Sequence, residues 1–225
     1  MKALIFDVDG TLAETEGVHL AAFNAAFAAA GLPWVWSDAQ YTRLLGTTGG
    51  KERIARHIRE AGGDPADFPI AALHRDKTAR YTEMIATGGV ALRPGVAELI
   101  AEAQGLGLGL AVATTTSPEN VDALIRATLG VGMGEVFAVV AAGDMVAVKK
   151  PAPDVYLLAL RRLGLPAAEC VAFEDSRNGL TAARAAGLFT VVTPGRFTAH
   201  EDLSEADLLA PALGSLASLG LTACA

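Results

Sequence analysis

The chain has 225 residues, 52% apolar and 19% charged, a globular composition long enough for a sizeable core. Its formal charge of -7 argues against a nucleic-acid surface, and no basic stripe offsets it. Its two cysteines, Cys170 and Cys224, are too few and too separated for a disulfide framework or a zinc site.

The apolar run Ala3-Leu4-Ile5-Phe6 leads directly into Asp7-Val8-Asp9-Gly10-Thr11. Four apolar residues between Lys2 and Asp7 are too few for a signal-peptide core. The apolar stretch 105–113 is about half a membrane span, so the expectation is a cytoplasmic protein without membrane contact. Asp7 and Asp9, two apart at a strand-to-loop transition, point the same way and need a cation between them. Such a pair suggests a metal-assisted carboxylate nucleophile beside an acid or base.

Residues 15–87 read as a helical insert. Leu20, Phe23, Phe27 and Ala30 repeat at helical spacing, as do Ile54 with Ile58, and Leu73 with Tyr81 and Ile85. Gly31-Leu32-Pro33, Gly62-Gly63-Asp64-Pro65 and Thr87-Gly88-Gly89 break the pattern. Hinges are expected near 13–15 and 87–91, joining this insert to a domain formed by 1–14 and 88–225.

From Leu92 to Pro194, strand-like and helix-like segments alternate. The spacing predicts strands over 108–114, 136–141, 170–173 and 189–193, with helices over 95–104, 119–129, 154–163 and 176–186. Pro94, Pro118 and Pro153 stand at helix starts, and Gly164 and Gly187 follow helix ends. The fold class is therefore α/β: a Rossmann-like parallel sheet with helices on both faces, carrying an inserted α-helical cap. After Pro211 the small apolar tail is expected to form one more helix.

Ligands of an open α/β sheet bind beyond the carboxyl ends of its strands. There the sequence puts Asp7 and Asp9, then Thr114-Thr115-Thr116, then Glu174-Asp175, with Lys149-Lys150-Pro151 before a helix. Carboxylates, a hydroxyl and an ammonium are the inventory of phosphoryl transfer. Mg²⁺, which takes oxygen ligands and a phosphate oxygen, would tie Asp7, the Asp9 carbonyl and Asp175 to the phosphoryl group. Thr114 and Lys150 would neutralise the remaining phosphoryl oxygens, and Asp9 would move the proton. Lys149 reads as a solvated neighbour of Lys150, and Thr115 and Thr116 as phosphate ligands or helix-capping groups.

Asp7-Val8-Asp9-Gly10-Thr11-Leu12, Thr114, Lys150-Pro151-Ala152-Pro153-Asp154 and Glu174-Asp175-Ser176 resemble, in order, the four motifs of the haloacid dehalogenase superfamily. The resemblance implies Asp7 as nucleophile, Asp9 as general acid and base, Thr114 and Lys150 on phosphate, and Asp175 as metal ligand assisted by Glu174. It implies a place in the branch of small-capped phosphatases and β-phosphoglucomutases, since true dehalogenases have no acid at the second position and use no Mg²⁺. Glu14-Thr15-Glu16 with His19, the segment Thr47 to Arg56, Ala113 to Ser117 and Ala141 to Val146 are similar to CbbY-type sugar-phosphate phosphatases. That similarity implies removal of the C1 phosphate of xylulose-1,5-bisphosphate, a misfire product that inhibits Rubisco.

The cap residues suit a bisphosphate on their own terms. Gly49-Gly50 would open a helix toward an anion, with Lys51 and Arg53 in its first turn. His74 and Lys77 share a helix face, and Glu16 and His19, just past the hinge, would meet sugar hydroxyls. Tyr41 and Arg43 are secondary candidates. The segment from Gly46 to Lys51 is not a nucleotide loop, because it follows a helix and has Glu52 in place of Ser or Thr. The partner expected is a small sugar phosphate bound by a monomer, with no nucleic acid. A β-phosphoglucomutase-like phosphotransferase, or a phosphatase for another sugar phosphate, shares the same core motifs.

Overall fold

The computed structural model describes residues 1–223, so the expectation for Cys224 lies outside the described residues. Among these, parallel strands β1 (Ala3–Phe6), β2 (Gly109–Thr114), β3 (Val139–Ala142), β4 (Cys170–Glu174), β5 (Phe189–Val192) and β6 (Leu208–Leu209) lie in the order β3-β2-β1-β4-β5-β6. The insert holds α1 (Glu16–Ala29), α2 (Asp38–Leu45), α3 (Gly50–Glu60) and α4 (Ile70–Ala86). Around the sheet run α5 (Val96–Gly105), α6 (Pro118–Leu129), the single-turn α7 (Met133–Val136), α8 (Asp154–Leu163) and α9 (Arg177–Ala185).

Every residue of β1 is fully buried, as a strand covered on both faces must be. Its side chains alternate between two cores. Leu4 and Phe6 join Val112, Phe173 and the α5–α6 residues, whereas Ala3 and Ile5 join Ala111, Val155 and Tyr156 on the α8 side. Phe6 pairs in register with Val112 and Phe173, and stacks on the Phe173 ring at 4.8 Å. That register delivers the residues after β1, β2 and β4 to one edge, at the point where the strand order reverses.

The helical insert has its own core, in which Phe23, Phe27, Trp36, Tyr41, Leu44, Ile54, Ile58 and Leu73 pack together. Phe197, from the loop after β5, enters the same cluster and meets Tyr41 edge-on at 5.9 Å. Leu92 pairs antiparallel with Ala13, so the two connections to the insert run side by side.

Two expectations are corrected. Val136 ends a helical turn instead of starting a strand, because Glu135 Oε1 accepts from the Gly132 N–H at 2.8 Å and Asp122 Oδ1 from Met133 N–H at 3.0 Å, closing that turn. Among the described residues the tail forms turns, not a helix. Leu213, Leu216 and Leu219 still bury against the sheet core, but Ser215 and Ser218 bond each other locally and Gly220 is left-handed (φ 66°).

Candidate functional site

The loop after β1 carries Asp7 and Asp9. Asp7 stays in the sheet through its N–H, which donates to the Phe173 carbonyl at 3.0 Å. Gly10 turns the chain with φ 84°, and a Cβ there would overlap the Asp175 carboxylate, so the β1 and β4 loops approach as only glycine allows. Oxygens of Asp7, Glu174 and Asp175 all lie within 4.8 Å of one another, and all three residues are buried.

Lys150 enters this cluster from the loop before α8, with its Nζ 2.7 Å from Asp7 Oδ1 and 2.5 Å from Glu174 Oε1. Its peptide bond to Pro151 is cis. The Tyr156 hydroxyl also donates to Glu174 Oε1, at 2.5 Å, while Glu174 Oε2 is buried without a partner. The Thr198 hydroxyl donates to Asp175 Oδ2 at 2.9 Å.

One ammonium among three buried carboxylates leaves the cluster short of positive charge. Burial, with Glu174 and Asp9 nearby, pushes the Asp7 carboxyl up to about 8 against the opposing Lys150. Burial and the charges of Asp7 and Glu174 likewise hold Asp175 well above the carboxylate range. Burial opposes the charge of Lys150, but Asp7 and Glu174 outweigh it and raise the ammonium above the usual lysine range. The orphaned Glu174 oxygen and the all-oxygen donor set fit a hard divalent cation.

Asp9 faces the helical insert. Burial opposes its ionisation, yet His19 and the Thr15 hydroxyl hold its carboxyl far below the usual range. His19 Nε2 is 2.8 Å and Thr15 Oγ1 2.6 Å from Asp9 Oδ1, and Lys77 Nζ approaches His19 Nδ1 at 2.5 Å. Burial pulls the Lys77 ammonium down to about 7 despite the Asp9 charge. The expectation that His19 meets a sugar hydroxyl is therefore revised: both its ring nitrogens are engaged beneath Asp9.

Asp7, Asp9, Thr114, Thr115, Thr116, Lys150 and Asp175 line one cavity with Glu16, His19, Gly49, Gly50, Arg53, His74 and Lys77. The cavity measures about 90 Å³ and adjoins a cleft of about 670 Å³, with Gly49, Gly50, His74 and Thr115 on both walls. The helical layer is closed over the sheet. The Thr48 hydroxyl donates to the Lys150 carbonyl, and Lys51 Nζ meets Asp144 Oδ2 at 2.5 Å.

Lys51 lies on the wider cleft and not in the inner cavity, because Asp144 holds it there. Lys149 is not a solvated neighbour. It is nearly buried, donates to the Gly143 carbonyl and pairs with Asp144 at 2.9 Å, bracing the turn after β3. Tyr41 donates to Glu16 Oε2 at 2.5 Å and accepts from Arg53 at 2.9 Å, so it fixes two cavity residues. Arg43 points away and pairs with Glu60 at 2.7 Å.

A haloacid dehalogenase-like hydrolase family model matches residues 1–187. The chain belongs to that family. Protein CbbY of Rhodobacter capsulatus is 61% identical over 218 residues, 97% of this chain and 96% of that protein. A crystal structure of CbbY from Rhodobacter sphaeroides with phosphate is 57% identical with a TM-score of 0.94, covering 98% of this chain and all (100%) of that one. A mutant of the same protein in complex with xylulose-1,5-bisphosphate is 56% identical at a TM-score of 0.94, covering 97% of this chain and 99% of that chain.

For this hydrolase, sequence reading missed Tyr156, Thr198 and Asn120. Asn120 is 2% exposed, and its Oδ1 has no partner at the cavity wall. Only Asn120 carried a signal, a buried-side amide three residues into a helix that follows the Thr114 loop. Among the described residues no helix is long and apolar enough to cross a membrane.

His74 yields a pH prediction. Burial first, then the Lys77 and Lys51 charges, draw its imidazole from 6.5 down to about 4, against Asp144. On acidification the unfolded chain binds this proton before the folded chain does, so the His74 contribution to stability falls as pH drops from about 6.5 to about 4. His74→Gln is expected to flatten that decline, by a slope of up to about 1.4 kcal/mol per pH unit. Thermal melts of both proteins across the window check it, and parallel curves would refute it.

Proposed function

We propose that the protein is a Mg²⁺-dependent sugar-bisphosphate phosphatase that removes the C1 phosphate of xylulose-1,5-bisphosphate, leaving xylulose 5-phosphate. The observation that carries the reading is the division between two carboxylates two residues apart. Asp7 lies in the cation-seeking cluster, and Asp9 is held by Thr15 and His19 of the insert. The similarity to a CbbY crystallised with that bisphosphate supports the choice of substrate.

In this reading residues 15–87 are a cap over a core of 1–14 and 88–225. The Asp7 carboxylate attacks phosphorus, the bond from phosphorus to the C1 oxygen breaks, and Asp9 protonates the departing oxygen. That proton is the one Asp9 takes from the attacking water of the preceding turnover, while His19, 2.8 Å away with Lys77 on its other nitrogen, orients the Asp9 carboxyl. Asp9, now ionised as its partners favour, takes a proton from the water that attacks the aspartyl-phosphate, and inorganic phosphate leaves. Thr114 and Lys150 stabilise the equatorial oxygens, with Thr115 and Thr116 beside them. Mg²⁺ held by Asp7, Asp175, Glu174 and the Asp9 carbonyl would offset the repulsion between carboxylate and phosphoryl group.

The second phosphate has room in the wider cleft, where Lys51, His74 and Lys149 stand near the N-terminus of α3. Glu16, Arg53 and Lys77 would bind the sugar between the two anions. Phosphate release measured across sugar mono- and bisphosphates tests the assignment. The expected result is at least tenfold (~10×) higher kcat/KM for xylulose-1,5-bisphosphate than for ribulose-1,5-bisphosphate, since misplaced hydroxyls leave buried polar groups unpaired. Faster conversion of β-glucose 1-phosphate to glucose 6-phosphate than any phosphate release would instead identify a phosphotransferase.

A further inference from the structure

Arg93 stands just beyond the second connection to the cap, with its side chain 13% exposed. Its backbone N–H donates to the Leu12 carbonyl at 2.8 Å, joining the two connections. Its guanidinium then spans three carbonyls on two other loops: Gly10, Thr193 at 2.8 Å and Pro194 at 2.9 Å. Glu14 lies 3.5 Å from its Nε.

Each of these neighbours leads to a reacting group. Gly10 directly follows Asp9. Glu14 directly precedes Thr15, whose hydroxyl holds Asp9 at 2.6 Å. Pro194 precedes Gly195, whose N–H donates to Thr198 Oγ1 at 2.9 Å, and that hydroxyl donates to Asp175 at 2.9 Å. One side chain thus ties the loop of the proton-transfer residue to the loop that orients a metal-site carboxylate.

We propose that Arg93 is a positioning residue of the reaction centre, holding the Asp9 loop and the Thr198–Asp175 arm in a single geometry through the Gly10 and Pro194 carbonyls. The inference rests on the reading of Asp7, Asp9 and Asp175 as the phosphatase centre. The guanidinium suits this task because it is a planar fork of five donors, permanently charged. A lysine ammonium is a point charge on a flexible stem and cannot reach the same carbonyls together. Carbonyls left without the fork lose their partners in a largely buried place, and the two loops are free to separate.

The test compares wild type, Arg93→Lys and Arg93→Ala in thermal melts, calorimetric titration with MgCl₂ in the absence of substrate, and steady-state release of phosphate. Arg93→Lys is expected to melt near wild type, yet to lose about tenfold or more in both kcat and Mg²⁺ affinity, as loss of outer hydrogen bonds does at metal sites. Its KM should stay within about threefold of wild type, because the cap residues that would bind sugar do not touch Arg93. Arg93→Ala should show the same pattern, enlarged. If Arg93→Ala fails to fold, Arg93→Lys decides alone. A folded Arg93→Lys protein with either kcat or Mg²⁺ affinity unchanged overturns the proposal and leaves Arg93 a brace of the connections. Should the wild type release no phosphate from any sugar phosphate, the functional reading fails, while the MgCl₂ titrations still judge Arg93.

Discussion

Asp7→Asn is expected to stop phosphate release, lowering kcat by about 10⁴-fold or more, as loss of a nucleophile does in enzymes whose catalytic groups act as a unit. An amide has the shape of the carboxylate but cannot form the aspartyl-phosphate. The fold should survive. Burial already disfavours the charge that the change removes, pushing the Asp7 carboxyl up to about 8, and the Lys150 ammonium keeps Glu174 as its partner at 2.5 Å. The backbone bond from residue 7 to the Phe173 carbonyl is untouched. Substrate should still bind, because Thr114 and the cap residues remain, so the variant should form a stable complex that wild type turns over. Phosphate assays with circular-dichroism melts check both halves. Turnover near the wild-type rate would remove Asp7 from the mechanism.

Withdrawal of divalent cations is expected to take phosphate release to background, and added Mg²⁺ to restore it. Asp7, Glu174 and Asp175 share one buried site with oxygens within 4.8 Å, and Lys150 is the ammonium bonded within it. A phosphoryl group brings further negative charge to the same place. Without a cation, attack by one anion on another in a water-poor site meets repulsion that Lys150 and Thr114 cannot offset. The same cation should stabilise the fold, by about 2.7 kcal/mol when free Mg²⁺ is 100 times its Kd. Assays and melts after exhaustive chelation, with and without MgCl₂, measure both effects. Full activity in chelator would exclude the metal from the reaction.

The candidate site was largely legible because most of its parts stand at the ends of apolar strands. Asp7, Thr114 and Glu174-Asp175 sit directly after or at the ends of β1, β2 and β4, and a parallel sheet brings such ends to one edge whatever the intervening chain does. Lys150 lies 143 residues from Asp7 yet was found, since its loop also borders that edge. Errors fell where short-range pattern competes with local bonding. The small apolar composition of the tail suggested a helix, but serine and glycine turned the chain while its leucines still reached the core.

By itself the sequence determined the α/β class, the helical insert and the order of chemistry-bearing residues, because strand and helix periods and strand-end positions are local properties. The tertiary structure alone decided which polar side chains hold the others. Tyr156 on Glu174, Thr198 on Asp175, His19 beneath Asp9 and Arg93 across three carbonyls are contacts between loops and helices whose spacing along the chain carries no signal. It likewise drew Lys51 out to Asp144 and turned Arg53 inward, though both occupy the first turn of one helix. Helix periodicity tells which residues share a face. What that face meets depends on how the inserted helices lie against the sheet, with the Thr48 hydroxyl on the Lys150 carbonyl.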